Sequence, residues 1–219
     1  VIPIEDCFVD TGLSAEKVKS IVEIGDLVTF DSECIENDGS FIGKAFDDRA
    51  GIFAMLEGVQ AAKKRECDLY IVGAVQEESG IRGIGPVAFD VKPELAVSVE
   101  GTIANDIPGA QSHRRLATQG KGVEIRLSDG RFIADRKWSY FLSKIAKERD
   151  IPHQIIVKRV GGTNASVIQN SAAGVKATSV SMAIRYLHSP YGIIQKCDIE
   201  ATVALVTAVI EDTNKFRIS

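Results

Sequence analysis

Asp47 with Asp48, Glu77 with Glu78, Glu100 and His188 are the side chains in this sequence best placed to do hydrolytic chemistry. Carboxylates joined by an imidazole suit a divalent ion of the zinc or cobalt type, whereas all-oxygen cages suit calcium or magnesium. Two adjacent glutamates divide the labour naturally, because neighbouring side chains diverge. One can ligate an ion while the other takes a proton from a water whose pKa the ion draws down toward ~7. A single acid after a strand is ordinarily a helix cap or a solvated loop residue. Several strand ends carrying such groups in one chain point to a shared site.

The elements that must position these groups can be read from hydrophobic pattern. Asp47 follows the apolar run Phe41 to Phe46, and the glutamate pair follows Leu69 to Val75. Glu100 closes Leu95 to Val99, and His188 lies just beyond Thr178 to Ile184. Ligands in open α/β sheets bind beyond the carboxyl ends of the strands, where all four groups fall. Further strands are expected at 27–30, 123–127 and 154–157. Helices are expected at 14–24 with Ser14 as cap, at 52–62, 83–89 and 134–148, and at the C-terminus with Asp198 as cap. Trp138 and Phe141 sit at helical spacing and read as core. Strands alternating with helices predict an α/β fold, a mostly parallel mixed sheet sandwiched by helices.

Composition narrows the function class. Of 219 residues, 45% are hydrophobic, enough for a sizeable core, and the formal charge is -4. That balance offers no footprint for nucleic acid and no polybasic membrane patch. No apolar run approaches the ~20 residues of a membrane span. Cys7, Cys34, Cys67 and Cys197 are scattered without a C-x-x-C pair. A cytoplasmic location is the expectation.

The stretches Gly43–Gly51, Val75–Gly83, Glu100–Gly109 and Arg185–Ser189, with Asp10–Ser14 and Gly25-Asp26, occur in an order that resembles the tetrahedral aminopeptidases. That family of dinuclear metallopeptidases also contains glutamyl aminopeptidases and proteins once labelled endoglucanases. The resemblance implies a zinc-peptidase-like catalytic domain at 41–219. Residues 1–40 would be the closing part of a small β-rich lid and dimerisation domain. It implies that Asp47 bridges two metal ions and is joined to Asp48 through a cis peptide. Glu77 would be the general base, Glu78 and His188 ligands of the second ion, and Glu100 a ligand of the first, where many relatives carry Asp. The reaction implied is removal of an N-terminal residue from a peptide with a free N-terminus, by metal-bound hydroxide with Glu77 moving the proton. Assembly into a homo-oligomer, a dodecamer, is the expected partnership.

Two departures qualify the resemblance. Relatives take a further ligand from a His-x-Asp segment ahead of the lid, and the histidines here are His113, His153 and His188. His113 and His153 lie off the motifs and read as structural or surface residues. The sequence starts at Val1 and is expected to be a piece of a longer protein, binding at most one ion tightly although the complete enzyme would hold two. Asn164 stands where relatives often have Asp. The rival readings are an inactive fragment serving assembly or binding, and a related metal-dependent deacylase or carboxypeptidase.

Overall fold

The computed structural model describes residues 3–111 and 116–218, with only the backbone described at 217 and 218. His113 lies outside the described residues. The chain divides into two compact units, Val1–Asp31 and Ser32–Ser219.

The first unit contains a 3-10 turn, Ile4–Asp6, and the short helix α1, Ala15–Lys19. Ser14 caps α1, its hydroxyl accepting from the Lys17 amide at 3.3 Å. No strand forms at 27–30, contrary to the pattern-based expectation. A strand needs a neighbour to complete its ladder, and no ladder among the described residues includes this stretch.

The second unit carries a seven-stranded mixed sheet: β1 (Ile35–Asn37), β2 (Ser40–Gly43), β3 (Leu95–Ile103), β4 (Val123–Ser128), β5 (His153–Val157), β6 (Lys176–Arg185) and β7 (Gly192–Gln195). β3 runs parallel to β6 and β4 parallel to β5, while the remaining pairs are antiparallel. The apolar stretch 69–75, expected as a strand, has no regular structure and joins no ladder among the described residues. The strand expected at 41–46 stops at Gly43, because Ala45 adopts a left-handed φ of 55° and turns the chain. β7 carries no acid or turn signal and was not anticipated.

Five helices cover this sheet: α2 (Phe46–Ala61), α3 (Ile84–Val91), α4 (Arg136–Glu148), α5 (Ala165–Ile168) and α6 (Lys196–Asp212). One core packs α2, α4 and α6 against Val97, Val99, Val123, Ile125, Val180 and Met182. A smaller core gathers Ile81, Ile84, Ala88 and Ile168, with Val72, Ala74 and Ala96 against it. Alternate residues of β3 thus serve cores on opposite faces, as the period of two requires. Trp138 is buried in the larger core and stacks with Phe141, ring centroids 5.7 Å apart.

Asp198 does not cap α6. The cap position is Gln195, and the Asp198 carboxylate instead accepts from the amides of Gly120 and Gly122, both at 2.8 Å. It ties the helix to the turn before β4, a role that local spacing could not reveal. No described helix is long and apolar enough to cross a membrane.

Candidate metal centre

Asp47 is the second residue of α2, two positions after the turn at Ala45 that follows β2. Its peptide bond to Asp48 is cis, and both residues depart from helical φ/ψ. Asp47 Oδ1 accepts from the Gly101 amide at 3.2 Å, and Oδ2 lies 3.1 Å from His188 Nε2. The carboxylate thus spans the ends of β3 and β6. Gly101 permits that reach: an added Cβ would lie 2.9 Å from both Cβ and Oδ1 of Asp47.

Glu77 and Glu78 occupy the turn that follows the apolar stretch 69–75. Backbone bonds from Gly83 to Val75, from Arg82 to Gln76 and from Ile81 to Glu77 close this turn. Gln76 takes a left-handed φ of 57°, and His188 one of 58°. Such conformations in non-glycine residues cost about 1–3 kcal/mol each and cluster where geometry serves a site. The glutamate pair therefore rests on a pinned loop. Glu78 reaches His188, with its Oε2 3.2 Å from Nε2. Asp47, Glu78 and His188 offer ligand atoms that all lie within 4.8 Å of one another.

A second group shares Asp47 and adds Asp48 and Glu100, again within 4.8 Å. Glu100 is buried on β3. Its carboxylate accepts from the Ser98 hydroxyl and, at 3.3 Å, from the Asn164 amide. The Asn164 side-chain nitrogen lies 3.5 Å away, and its Oδ1 is buried without a partner. Amide in place of carboxylate at 164 spares Glu100 another negative neighbour.

The electrostatics of this corner call for a cation. Burial, then the charges of Glu100 and Asp47, push the Asp48 carboxyl up to about 9. Burial raises Glu100 to about 7 despite the Ser98 hydroxyl. Glu77 is raised by burial, then by Glu78 and Asp47, against the lowering influence of His188 and Arg131. Burial and Asp47 also raise Glu78. Packed like charges oppose their own ionisation unless an ion of opposite sign joins them. Acids and one imidazole fit a divalent ion of the zinc type better than calcium or magnesium. Both the charge and the donor chemistry of these residues fit such an ion.

The two groups differ in their access to water. The His188 side chain is 63% exposed and that of Glu78 57%, whereas Glu100 is 5% exposed. An Arg185–Asp106 pair holds the chain leading to His188. Arg185 Nε and Nη2 donate to the two Asp106 oxygens at 2.7 and 3.0 Å, and Asp106 also accepts from the Gln119 amide at 3.0 Å. Neither residue was singled out from sequence. Their separation of 79 positions along the chain hides a contact that only the β6 terminus creates. His153 lies away from the cluster, between Ser143 Oγ at 2.9 Å and the Ile151 carbonyl at 3.0 Å. It is a structural histidine, as its position off the motifs suggested.

An acid and imidazole cluster at the carboxyl ends of strands in a helix-covered mixed sheet places this protein among α/β folds with a candidate divalent-metal centre. The family follows from comparison: residues 1–205 match the M42 glutamyl aminopeptidase model, and the chain belongs to that family. An aminopeptidase from the archaeon Desulfurococcus kamchatkensis is 35% identical, with a TM-score of 0.89, over 91% of this chain and 57% of its own. Lysyl aminopeptidase from Pyrococcus furiosus is 32% identical over 76% of this chain and 47% of its own length. The Pyrococcus horikoshii TET1 peptidase, which can assemble into a tetrahedron or a large octahedral shell, is 25% identical with a TM-score of 0.73. It is matched over 89% of this chain and 57% of its own. The chain therefore spans about half to three fifths of the length of these relatives.

Proposed function

We propose that this chain supplies the metal-binding body of an aminopeptidase, which removes N-terminal residues from peptides. The observation that carries the reading is the meeting of Asp47, Glu78 and His188 around a point that one ion could occupy, with Glu77 beside Glu78. The aminopeptidase relatives support the substrate class. Asp47 bridges the two ligand groups, Glu78 and His188 complete the outer one, and Glu100 with Asp48 forms the inner one. A divalent ion held there, zinc or cobalt by donor chemistry, would polarise a peptide carbonyl and lower the pKa of water.

The remaining chemistry belongs to the chain. Glu77 is raised above the ordinary carboxylate range, which suits a group that accepts a proton from water and returns it to the leaving amine. Glu78, on the next residue, keeps its carboxylate toward His188 and leaves Glu77 free for that transfer. The Asn164 amides hold Glu100 in place from the other side. On its own residues the chain is proposed to bind one ion tightly, at Asp47, Glu78 and His188. Residues 1–40 are read as part of the lid, and the setting as cytoplasmic. Self-assembly of the kind the horikoshii peptidase shows is the proposed quaternary state.

The deciding experiment compares aminoacyl p-nitroanilides with N-blocked peptides, on the longest natural form with zinc or cobalt added. Cleavage restricted to unblocked substrates supports the aminopeptidase. Cleavage of blocked substrates instead assigns a deacylase or carboxypeptidase, and no cleavage of either assigns an assembly protein.

A further inference from the structure

One cation lies beside the acids of the site without a protein partner. Arg131 is exposed, and its guanidinium makes no hydrogen bond or ion pair among the described residues. Its charge nevertheless reaches the site, where it lowers the proton affinity of Glu77. The leading influences on Asp48, Glu78 and Glu100 do not include it. Arg131 therefore stands on the side of the general base, away from the inner acids.

The arginine is held there by its own turn and by a glycine. Asp129 Oδ1 accepts from the amides of Arg131 and Phe132 at 2.8 and 3.1 Å, and Oδ2 accepts from Arg126 Nη1 at 3.0 Å. Arg126 is 2% exposed, so the turn is anchored in the interior. The stem of Arg131 lies across Gly162, where an added Cβ would meet its Cδ, Cγ and Cβ at 2.5, 3.1 and 3.3 Å. The backbone at Gly162 does not itself require glycine, because its φ is not left-handed. Two residues further on, the Asn164 amide donates to Glu100. Fixing an arginine stem costs rotamer freedom, and no described contact of the guanidinium offsets that cost. A planar fork of donors held in this way suits a carboxylate from outside.

The side on which Arg131 stands decides which carboxylate. In the proposed reaction Glu77 returns a proton to the leaving amine, so the residue after the scissile bond lies on its side. In a dipeptide that residue carries its free carboxylate two bonds from the leaving nitrogen. Each further residue moves the carboxylate away by up to ~3.6 Å. We propose that Arg131 binds the C-terminal carboxylate of dipeptides, which makes this site a dipeptide-preferring aminopeptidase. The inference rests on the aminopeptidase reading and adds to it the length of the substrate.

The test uses the longest natural form with zinc and compares leucyl-glycine with leucyl-glycinamide, whose carboxylate is blocked. Wild type should prefer the dipeptide by about tenfold in kcat/KM, the worth of one charge-assisted contact at a wet site. Arg131→Gln should abolish that preference, mainly through KM, because the contact is the same before and during reaction. Both substrates share the ion, the base and the first residue, so their ratio cancels any effect of the arginine charge on Glu77. Gly162→Ala unseats the arginine and should reduce the ratio as well. Arg131→Lys should keep more of it than the glutamine variant, since the charge remains. Leucyl-glycyl-glycine should be cleaved no better than the amide. A ratio near one in the wild type, or one that survives Arg131→Gln, overturns the proposal. A preference for glutamyl-glycinamide over leucyl-glycinamide that Arg131→Gln removes also overturns it, and assigns Arg131 to the side chain of the first residue. No cleavage of any of these substrates sinks the aminopeptidase reading itself, whereas cleavage without a dipeptide preference sinks only this inference.

Discussion

Gly101 and Asp47 touch so closely that no other residue fits at position 101. An added methyl would lie 2.9 Å from the Asp47 carboxylate and 2.8 Å from Ile184 Cδ1. Gly101→Ala is expected to push Asp47 off the β3 amide, destabilising the fold by about 1–3 kcal/mol. Zinc affinity should fall by about tenfold or more, the equivalent of one lost charge-assisted contact. Calorimetric titration with zinc, alongside a thermal melt, checks both. Unchanged affinity would show that Asp47 is not held for a metal.

Glu77 and Glu78 are adjacent but are assigned different work. Glu77→Gln should retain zinc and lose about 10²–10⁴-fold in kcat on an aminoacyl p-nitroanilide. Glu78→Gln should lose the zinc itself. Metal content measured beside activity separates the two, and a Glu77 variant that also sheds metal contradicts the division.

Asp106 and Arg185 should give the protein an acid-sensitive clamp. Burial raises the Asp106 carboxyl, but the Arg185 hydrogen bond and the Gln119 amide outweigh it and leave the pKa below its ordinary 3.8. A carboxyl depressed in the folded state stabilises above its ordinary pKa, and the benefit vanishes as pH falls through the folded value. Arg185→Leu is therefore expected to cost about 1–2 kcal/mol at pH 7, allowing for partial exposure of the guanidinium. Its deficit relative to wild type should shrink in melts below pH 4. A deficit constant from pH 7 to pH 2.5 would refute the clamp.

Asn164 faces Glu100, and replacing it with Asp brings two carboxylates together. Asn164→Asp should destabilise the metal-free protein by about 1–3 kcal/mol. Saturating zinc should recover part of that loss, since the ion compensates the added charge. Melts with and without zinc decide it, and an equal penalty in both states would place position 164 outside the ion's influence.

Zinc should stabilise the wild-type chain by about 2.7 kcal/mol at 100 times its Kd. EDTA should return the melting temperature to the metal-free value. A titration that ends near one ion per chain agrees with the residues present, whereas two tightly held ions would refute the assignment of a single complete site.

The candidate ligands were picked out because each lies just past an apolar run of sequence. The fold brings Asp47 within 4.8 Å of Glu78 and His188 in one group, and of Asp48 and Glu100 in another. The left-handed residues Ala45, Gln76 and His188 were not legible, since alanine, glutamine and histidine give no warning of positive φ. Asp198 looked like a helix cap because pattern sees only near neighbours, while its real partners lie at Gly120 and Gly122. Stretch 69–75 has the composition of a buried strand, yet Tyr70, Ile71 and Val75 are exposed and no ladder among the described residues includes it, because composition reports a capacity for burial and pairing rather than either outcome. The Arg185–Asp106 pair escaped for the same reason as Asp198: the fold, not the local sequence, makes it.

The unequal wetting of the two halves of the cluster has a kinetic consequence. A chelating molecule from solution can approach His188 and Glu78 directly, but must displace protein to reach Glu100. The single ion should therefore be stripped through His188 and Glu78 without displacement of Glu100, and an exchange experiment with isotopic zinc would see it turn over rapidly.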